Sequence, residues 1–350
     1  MPERIALIGA GVIGKRHLIA MAKVESVELA AIADPLSSAA EIATGYGVPH
    51  YSSANEMLSA VAPSGVIIAT PTEHHFEPAL AALDAGCHLL VEKPIAASVA
   101  EAEEMTRLSE ARGLSVLVGH HRRYYPHVAR AREMVRGGSL GQLVTVSGQW
   151  SVRKPESYYV PDWRRRSPAG PVLTNLIHEI DNLRYIVGDI RSVTGLAGNS
   201  VQGFEKEDAA AFALQFENGS LGAFVMSDQA DSPWAWEMAT GENPAFPRSG
   251  QNCITFSGTR GALEFPNLRH WTSDGEPECW ITPKRVHDIS LELGDAFVRQ
   301  IEHFSEVVAG HASPIISAAD STGTLRATLA VLESARCGSR IDICGPERKN

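Results

Sequence analysis

The stretch RIALIGAGVIGKRH, residues 4–17, joins an apolar run to a predicted helix through three glycines. Gly9, Gly11 and Gly14 form the pattern GxGxxG, in which glycines permit a tight turn, close approach of backbone to a pyrophosphate, and close packing of helix on strand. Asp34 follows the next apolar run, twenty residues after Gly14, where a carboxylate accepts hydrogen bonds from a ribose diol. This spacing predicts a dinucleotide-binding turn.

The aspartate also bears on the choice between NAD and NADP. A carboxylate at position 34 repels a 2′-phosphate, and Pro35 supplies no cation to replace it. Lys15 and Arg16 are the nearby cations that would favour the phosphate. We expect NAD as the cofactor, with NADP the less favoured alternative.

The first 118 residues or so alternate short apolar runs with helical stretches. Five runs, RIALIGA, VELAAIAD, GVIIATP, HLLVEK and LSVLVGH, predict strands separated by helices. Regular alternation of this kind predicts an α/β fold with a doubly wound parallel sheet. A domain of this class is expected over residues 1–120.

Residues 121–350 have a different pattern and predict a second domain of the α+β class. Longer strands of period two, such as LVTVSGQWSV, AAAFALQF and SLGAFVMSDQ, indicate a large, mostly antiparallel open sheet. Asn218-Gly219 is a strong hairpin signal, and NCITFSGTRGALEF predicts a further strand pair. Helices are predicted near 172–187, 295–309 and 317–337, and the last of these is a candidate for packing back on the N-terminal domain.

Composition excludes several classes of partner. The net charge of -10 offers no basic surplus for nucleic acid or an anionic membrane, and no apolar run is long enough to span a bilayer. Five cysteines without a CxxC pair (Cys87, Cys253, Cys279, Cys337 and Cys344) suggest neither a disulfide framework nor a zinc site. We expect a cytoplasmic protein without a bound metal.

Two polar segments follow apolar runs that are predicted strands. ATPTEHH, residues 69–75, and VEKP, residues 91–94, fall at carboxyl ends of strands, where open α/β sheets bind ligands. Lys93, between a strand and a proline, is the first candidate for a charged catalytic group. The cofactor is expected to contact residues of the glycine turn and these segments: Gly9, Gly11, Val12, Ile13, Gly14, Asp34, Thr70, Pro71, His75, Glu92 and Lys93.

The motifs GAGVIGKRH, TPTEHH, EKP, RRYYP, DWR and IHEID occur in the order found in the Gfo/Idh/MocA family, which the chain resembles over nearly its whole length. The resemblance implies an N-terminal Rossmann domain, a C-terminal sheet used for homodimers or homotetramers, and NAD(P)-dependent oxidation of sugars or cyclitols. The family's catalytic lysine falls on Lys93 and its catalytic histidine on His178. Sugar dehydrogenases of the family commonly have aspartate four residues before that histidine, and here the residue is Thr174.

A helix over 172–187 places polar residues on one stripe, at about 100° per residue. Thr174, His178, Asp181 and Tyr185 share this stripe, whereas Leu176, Ile180, Leu183 and Val187 gather on the opposite face. One interpretation is a solvated face; the other is a catalytic one, because short hydrogen-bonding groups and an imidazole stand where lysine and glutamate usually do. In the catalytic interpretation Asp181 supports the second nitrogen of His178.

Two arginine clusters stand beside aromatic residues, Arg122 and Arg123 near Tyr124 and Tyr125, and Arg164 to Arg166 near Trp163. Guanidinium groups recognise carboxylates and stack on rings, which would suit an acidic sugar. The residues predicted to contact substrate are Arg123, Tyr158, Trp163, Arg164, Thr174 and Asn175.

Together these features predict an NAD-dependent dehydrogenase that oxidises a secondary hydroxyl of a sugar, a cyclitol or a sugar acid. One alternative is a reductase or dihydrodiol dehydrogenase acting on a cyclic substrate that is not a sugar. Another is a non-catalytic protein that senses NAD. The presence of both Lys93 and His178 favours catalysis, because a pure binding protein needs no acid and base.

Overall fold

The computed structural model describes residues 1–343, without the side chain of Pro168, so Cys344 lies outside the described residues. The chain forms two compact units. The first holds residues 1–124 and 295–325; the second holds 125–294 and the described residues from 326 onward. Residues 295–325 thus belong to the first unit, whereas the sequence predicts a second domain over 121–350 with only the helix near 317–337 as a candidate for packing back.

The first unit contains a six-stranded parallel sheet with the strand order β3-β2-β1-β4-β5-β6. Its strands are β1 Glu3–Ile8, β2 Val27–Ala33, β3 His50–Tyr51, β4 Gly65–Ile68, β5 His88–Val91 and β6 Val116–Val118. The five predicted strands are confirmed, and only the two-residue β3 was not predicted. Because the order reverses beside β1, the carboxyl ends of β1, β2 and β4 meet at the place where such sheets bind ligands.

Helices connect these strands as predicted: α1 Val12–Met21, α2 Ser38–Tyr46, α3 Ala54–Val61, α4 Phe76–Asp84 and α5 Val99–Arg112. The start of α5 shows how local sequence sets such a boundary, since Ser98 and Glu101 form a reciprocal capping box. Apolar side chains from the strands and from α1 form one buried core. The α/β part of the predicted fold is therefore confirmed.

The second unit contains a mixed sheet of nine strands in the order β14-β13-β12-β11-β7-β10-β9-β8-β15. Its strands are β7 Leu143–Ser151, β8 Ile190–Gly198, β9 Ala209–Phe216, β10 Leu221–Ser227, β11 Ile254–Gly258, β12 Gly261–Phe265, β13 Arg269–Thr272, β14 Arg285–Asp288 and β15 Ile341–Asp342. The one parallel pair in this sheet joins β7 to β10. The Asn218-Gly219 hairpin is confirmed between β9 and β10, with φ of 86° at Gly219.

Five helices follow the first unit's sheet in sequence: α6 Pro126–Arg136, α7 Ile177–Ile186, α8 Trp236–Thr240, α9 Ala296–Val308 and α10 Ala318–Cys337. A π-helical turn, Val172–Leu176, directly precedes α7. Ile301 and Phe304 of α9 are buried in the core of the first unit, which is the physical reason that this segment belongs there. The predicted C-terminal helix is α10. Its residues 318–325 belong to the first unit, and its residues 326–337 belong to the second.

Within residues 1–343, no helix combines the length and apolar character that crossing a membrane requires. The same described residues contain no cluster of three or more His, Cys, Asp or Glu side chains with the arrangement of a metal site.

Candidate active site

The glycine turn between β1 and α1 has the shape that a dinucleotide needs. Gly9 has φ of +93°, and a Cβ atom there would lie 2.8 Å from the backbone nitrogen of Thr70. A Cβ on Gly14 would collide with the carbonyl group of Gly9. In contrast, a Cβ on Gly11 would meet no atom within 4 Å, so this position leaves open space beside the helix start. Gly9 and Gly14 are thus required by packing, and Gly11 keeps the backbone accessible.

The first turn of α1 and Asp34 complete a place for a dinucleotide. Val12 is 85% exposed, Ile13 is also exposed, and the turn carries no acidic side chain. A phosphate therefore meets backbone N–H groups without a repelling charge. Asp34, half-buried at the end of β2, accepts hydrogen bonds from the backbone N–H groups of Ala10 at 2.8 Å and Leu36 at 2.9 Å. These bonds fix the carboxylate while leaving lone pairs for a ribose diol.

The segment after β4 is held to the segment after β5 by His75, which is 1% exposed. One ring nitrogen lies 2.8 Å from the carbonyl oxygen of Pro94, and the other lies 2.9 Å from that of Thr70. Both ring nitrogens thus contact backbone, and the contact of His75 with the cofactor stays a prediction. Thr70 is half-buried and Pro71 is exposed, so both remain predicted cofactor contacts.

Glu92, the residue before Lys93, is buried against the backbone of the loop that carries this lysine. Its carboxylate is 2.8 Å from Nε2 of His17, and its other oxygen accepts the backbone N–H of Lys93 at 3.2 Å. Burial would raise the pKa of Glu92, but the hydrogen bond and charge of His17, with the charges of Lys93 and His121, lower it below the usual range. Glu92 is therefore held as a buried anion, and its contact with the cofactor stays a prediction. Lys93 is half-buried and precedes a cis peptide bond to Pro94.

In the second unit, His178 lies in the first turn of α7, and both it and Asp181 are buried. All residues from Ile177 to Leu183 are buried, so the interpretation of the polar stripe as a solvated face is wrong. Leu176, Ile180, Leu183 and Val187 are buried as predicted. The contact of Asp181 with His178 stays a prediction.

The π-helical turn before α7 changes the predicted alignment of Thr174 with His178. A π turn has i→i+5 hydrogen bonds and inserts about one extra residue, so the spacing of 100° per residue fails across Val172–Leu176. The Oγ1 atom of Thr174 lies 3.0 Å from the carbonyl oxygen of Gly170 and 3.0 Å from Oδ1 of Asn175. Thr174 and Asn175 therefore form one polar group, one turn before His178.

Asn175 is joined to Tyr158 by a lysine that sequence reasoning missed. Nζ of Lys154 donates to Oδ1 of Asn175 at 2.8 Å and lies 4.5 Å from the ring centre of Tyr158. It is also 3.8 Å from a carboxylate oxygen of Asp228, which forms a fully buried ion pair with Lys206 at 2.9 Å. Lys154 stands between a strand and Pro155, as Lys93 stands between a strand and Pro94, so the signal that identified Lys93 was available here too.

The two arginine clusters have different environments. Arg164 stacks at 4.2 Å on Tyr158 and at 5.1 Å on Trp163, whose side chain is largely exposed. These three predicted substrate residues are therefore brought together. Arg123 instead is buried in an ion pair with Asp320 inside the first unit. That carboxylate compensates the charge of Arg123, and its contact with substrate stays a prediction.

Comparison with family models identifies both parts of the chain. Residues 3–120 match the model described as an oxidoreductase family with an NAD-binding Rossmann fold. Residues 128–264 match the GFO/IDH/MocA C-terminal domain.

Named relatives include dehydrogenases with different substrates. The chain is 38% identical over 239 residues to 4-carboxy-2-hydroxymuconate-6-semialdehyde dehydrogenase of Sphingobium sp., a match that covers 66% of this chain and 73% of that protein. It is 25% identical over 349 residues to scyllo-inositol 2-dehydrogenase (NAD(+)) of Bacillus subtilis, covering 97% and 96% of the two chains. A solved structure of levoglucosan dehydrogenase with NADH and levoglucosan has the same fold, with a TM-score of 0.83, 21% identity and coverage of 98% and 100%.

Proposed function

Because the chain belongs to the Gfo/Idh/MocA family of NAD-dependent oxidoreductases, we propose that it oxidises a secondary hydroxyl of a sugar, a cyclitol or a sugar acid. The cofactor is NAD, which accepts a hydride when it is bound. The open space at Gly11 and the fixed carboxylate of Asp34 support the proposal that the glycine turn and Asp34 hold this cofactor.

In the proposed mechanism, His178 and Lys93 act on the same substrate oxygen. The neutral imidazole of His178 takes the hydroxyl proton, and the ammonium of Lys93 stabilises the alkoxide character that develops on that oxygen. The remainder of the chain binds and orients the cofactor and the substrate, and it excludes water from them. Asp181 is proposed to hold the imidazole in the tautomer that a base needs.

The polar group that begins one turn before His178 in sequence is the observation that carries the substrate class. Thr174, Asn175 and Lys154 form a chain of hydrogen bonds, and Tyr158 adds an aromatic surface next to Lys154. Donors and acceptors spaced in this way suit several hydroxyl groups on a ring, and an aromatic face suits its C–H bonds. Lys154 and Arg164 add positive charge, which favours substrates that also carry a carboxylate.

A second candidate is a carboxylated substrate that is not a sugar. It is favoured by the relative from Sphingobium sp., whose name specifies a carboxylated semialdehyde. The two candidates differ in their substrates, because the first requires turnover of inositols, aldoses or their acids. The second requires turnover of a non-sugar acid only.

The test is a screen for NADH formation with inositols, aldoses, aldonic acids and uronic acids, followed by absorbance. A polyol or sugar acid with turnover that depends on both His178 and Lys93 is the expected result. Absence of turnover with every member of these classes, in an enzyme shown to bind NAD, would contradict the proposed substrate class.

We further propose a homodimer or homotetramer formed through the exposed face of the nine-stranded sheet. Two rows of paired residues cross β10, β9 and β8 on this face. One row consists of Val225, Ala211 and Leu196, and the other of Ala223, Ala213 and Thr194. All six side chains are exposed and uncharged. A second copy of the chain is the proposed occupant, since an apolar face of this kind is a usual site of association. A cytoplasmic location is a further proposal, which rests on the cysteine pattern of the sequence.

A further inference from the structure

Two buried histidines contact the residues on either side of Lys93, and the function proposed above uses neither of them. We propose that His17 and His75 are positioning residues for Lys93, holding Glu92 and Pro94 so that the backbone of Lys93 is fixed next to a fixed carboxylate. This inference rests on the proposed catalytic role of Lys93. All five residues lie in the first unit.

His17 fixes the residue before Lys93. It is the last residue of the motif GAGVIGKRH, lies on α1 and is 0% exposed. Its Nε2 atom is 2.8 Å from one oxygen of Glu92, whose second oxygen accepts the backbone N–H of Lys93. A Cβ atom on Gly119 would lie 2.8 Å from that carboxylate, so the carboxylate packs directly against the backbone of Gly119. A side chain on the helix of the glycine turn therefore sets the backbone of the lysine loop.

His75 fixes the residue after Lys93. Its two ring nitrogens lie within 3 Å of the carbonyl oxygens of Pro94 and Thr70, and both of these groups only accept hydrogen bonds. Burial lowers the pKa of His75 and favours the neutral ring, whose single N–H donates to one of these carbonyl oxygens while the second nitrogen lies against the other. The ring is thus packed between the lysine loop and the predicted cofactor loop after β4. With both neighbours held, the Cα atom of Lys93 has little freedom to shift, and displacements of about 1 Å can cost about 100-fold in rate.

Glu92, which is held by His17, is also a charged neighbour of Lys93. The groups whose charges act on Glu92 are His17, Lys93 and His121, and Glu92 in turn acts on His75. An anion beside an ammonium stabilises its protonated form. The protonated form is the one that stabilises an alkoxide, so Glu92 would extend the active range of Lys93 towards higher pH.

The first test measures the ionisation of Lys93 directly and does not depend on turnover. The chain has only seven lysines, so the ¹³Cε NMR signal of Lys93 can be assigned by its absence in Lys93→Arg. In Glu92→Gln, which keeps the shape of the side chain, we expect this signal to titrate at lower pH than in the wild type. Glu104→Gln is the matched control, because Glu104 is exposed on α5 and pairs with Arg107. An unchanged Lys93 titration in Glu92→Gln would overturn the electrostatic part of the inference.

The second test separates positioning from folding. His17→Leu removes the hydrogen bond to Glu92, whereas His17→Gln keeps an amide donor in its place. We expect kcat, measured well below the unfolding temperature of each variant, to fall about tenfold or more in His17→Leu, with partial recovery in His17→Gln and with NAD affinity close to the wild type. Thermal unfolding should shift to lower temperature in His17→Leu, because Glu92 loses its buried partner. His75→Phe, which cannot donate to Pro94, is expected to lower kcat in the same way. Wild-type kcat in both His17→Leu and His75→Phe would overturn the positioning role.

A failure of the proposed function has a different signature. If Lys93→Ala retained normal kcat, Lys93 would not be catalytic, but the NMR titration of Glu92→Gln would still report whether the carboxylate acts on Lys93. If Lys93→Ala is inactive and the alkaline limb of kcat moves to lower pH in Glu92→Gln, the catalytic role of Lys93 and the effect of Glu92 on it are both supported.

Discussion

Replacing Asp34 should change which cofactor the enzyme prefers. Asp34 lies at the end of β2, and its two carboxylate oxygens accept the N–H groups of Ala10 and Leu36. This places one fixed negative charge beside the glycine turn. We expect Asp34→Ala to weaken the binding of NAD strongly and the binding of NADP much less, so that the ratio of the two affinities moves closer to one.

The magnitude follows from the contacts that a carboxylate makes and the charge that it carries. A charge-assisted hydrogen bond contributes about 1.5–3 kcal/mol, so the loss of one to the ribose diol corresponds to roughly 10- to 100-fold weaker NAD binding. For NADP, the removal of repulsion offsets that loss. Two unit charges 4 Å apart interact by about 1 kcal/mol in water and about 4 kcal/mol near a protein surface. We therefore expect the ratio of the NAD and NADP dissociation constants to change by at least about tenfold.

The assay is calorimetric or fluorescence titration of wild type, Asp34→Ala and Asp34→Asn with NAD and NADP. Asp34→Asn is the control, because it removes the charge but keeps a carbonyl oxygen that can accept an N–H. If charge decides, Asn should relieve the discrimination against NADP as much as Ala does. The reasoning is refuted if wild type binds NADP as tightly as NAD, or if both variants leave the ratio unchanged.

Three further results are expected. His178→Ala should lower kcat by about 10² to 10⁴ and remove the fall in kcat/KM at acid pH, whereas normal kcat with an unchanged pH profile would place the base elsewhere. Because the folded-state pKa of Glu92 lies below its usual value of 4.5, its contribution to stability is present above that pH and is lost as the pH falls through the lower value. Urea unfolding of Glu92→Gln between neutral and acid pH should therefore show a weaker acid dependence of the free energy of unfolding than the wild type, and an equal dependence would contradict this. Val225→Glu should shift the assembly to smaller species in light scattering at unchanged NAD affinity, because it puts a charge on the exposed sheet face; an unchanged mass would argue against an interface there.

Local sequence determined most of the fold, because its signals act over short distances. The strand and helix alternation, the glycine turn and the Asn218-Gly219 hairpin each depend on residues close in sequence, and the structure has them where they were predicted. The roles of Gly9 and Gly14 were likewise readable, since the need for glycine arises from a turn that the motif itself specifies.

Contacts between residues distant in sequence could not be predicted in this way. The π turn before α7 is a backbone arrangement for which the sequence carries no periodic signal, so a uniform helix misaligned Thr174 with His178. Residues 295–325 belong with the first unit because Ile301 and Phe304 complete its core, a fact of packing and not of position along the chain.

Charged side chains were the least predictable from sequence, because the pairing of a charge depends on which other group the fold brings near it. Arg123 is predicted from the sequence to contact substrate, and only the fold pairs it with Asp320, nearly two hundred positions away. His17 looked like one residue of a motif, and only tertiary structure set it against Glu92, 75 positions later. Sequence alone thus determined the class of fold and the residue types available for catalysis. The tertiary structure decided which of these charges are already compensated inside the protein, because electrostatic interactions depend on distance and burial and not on sequence order.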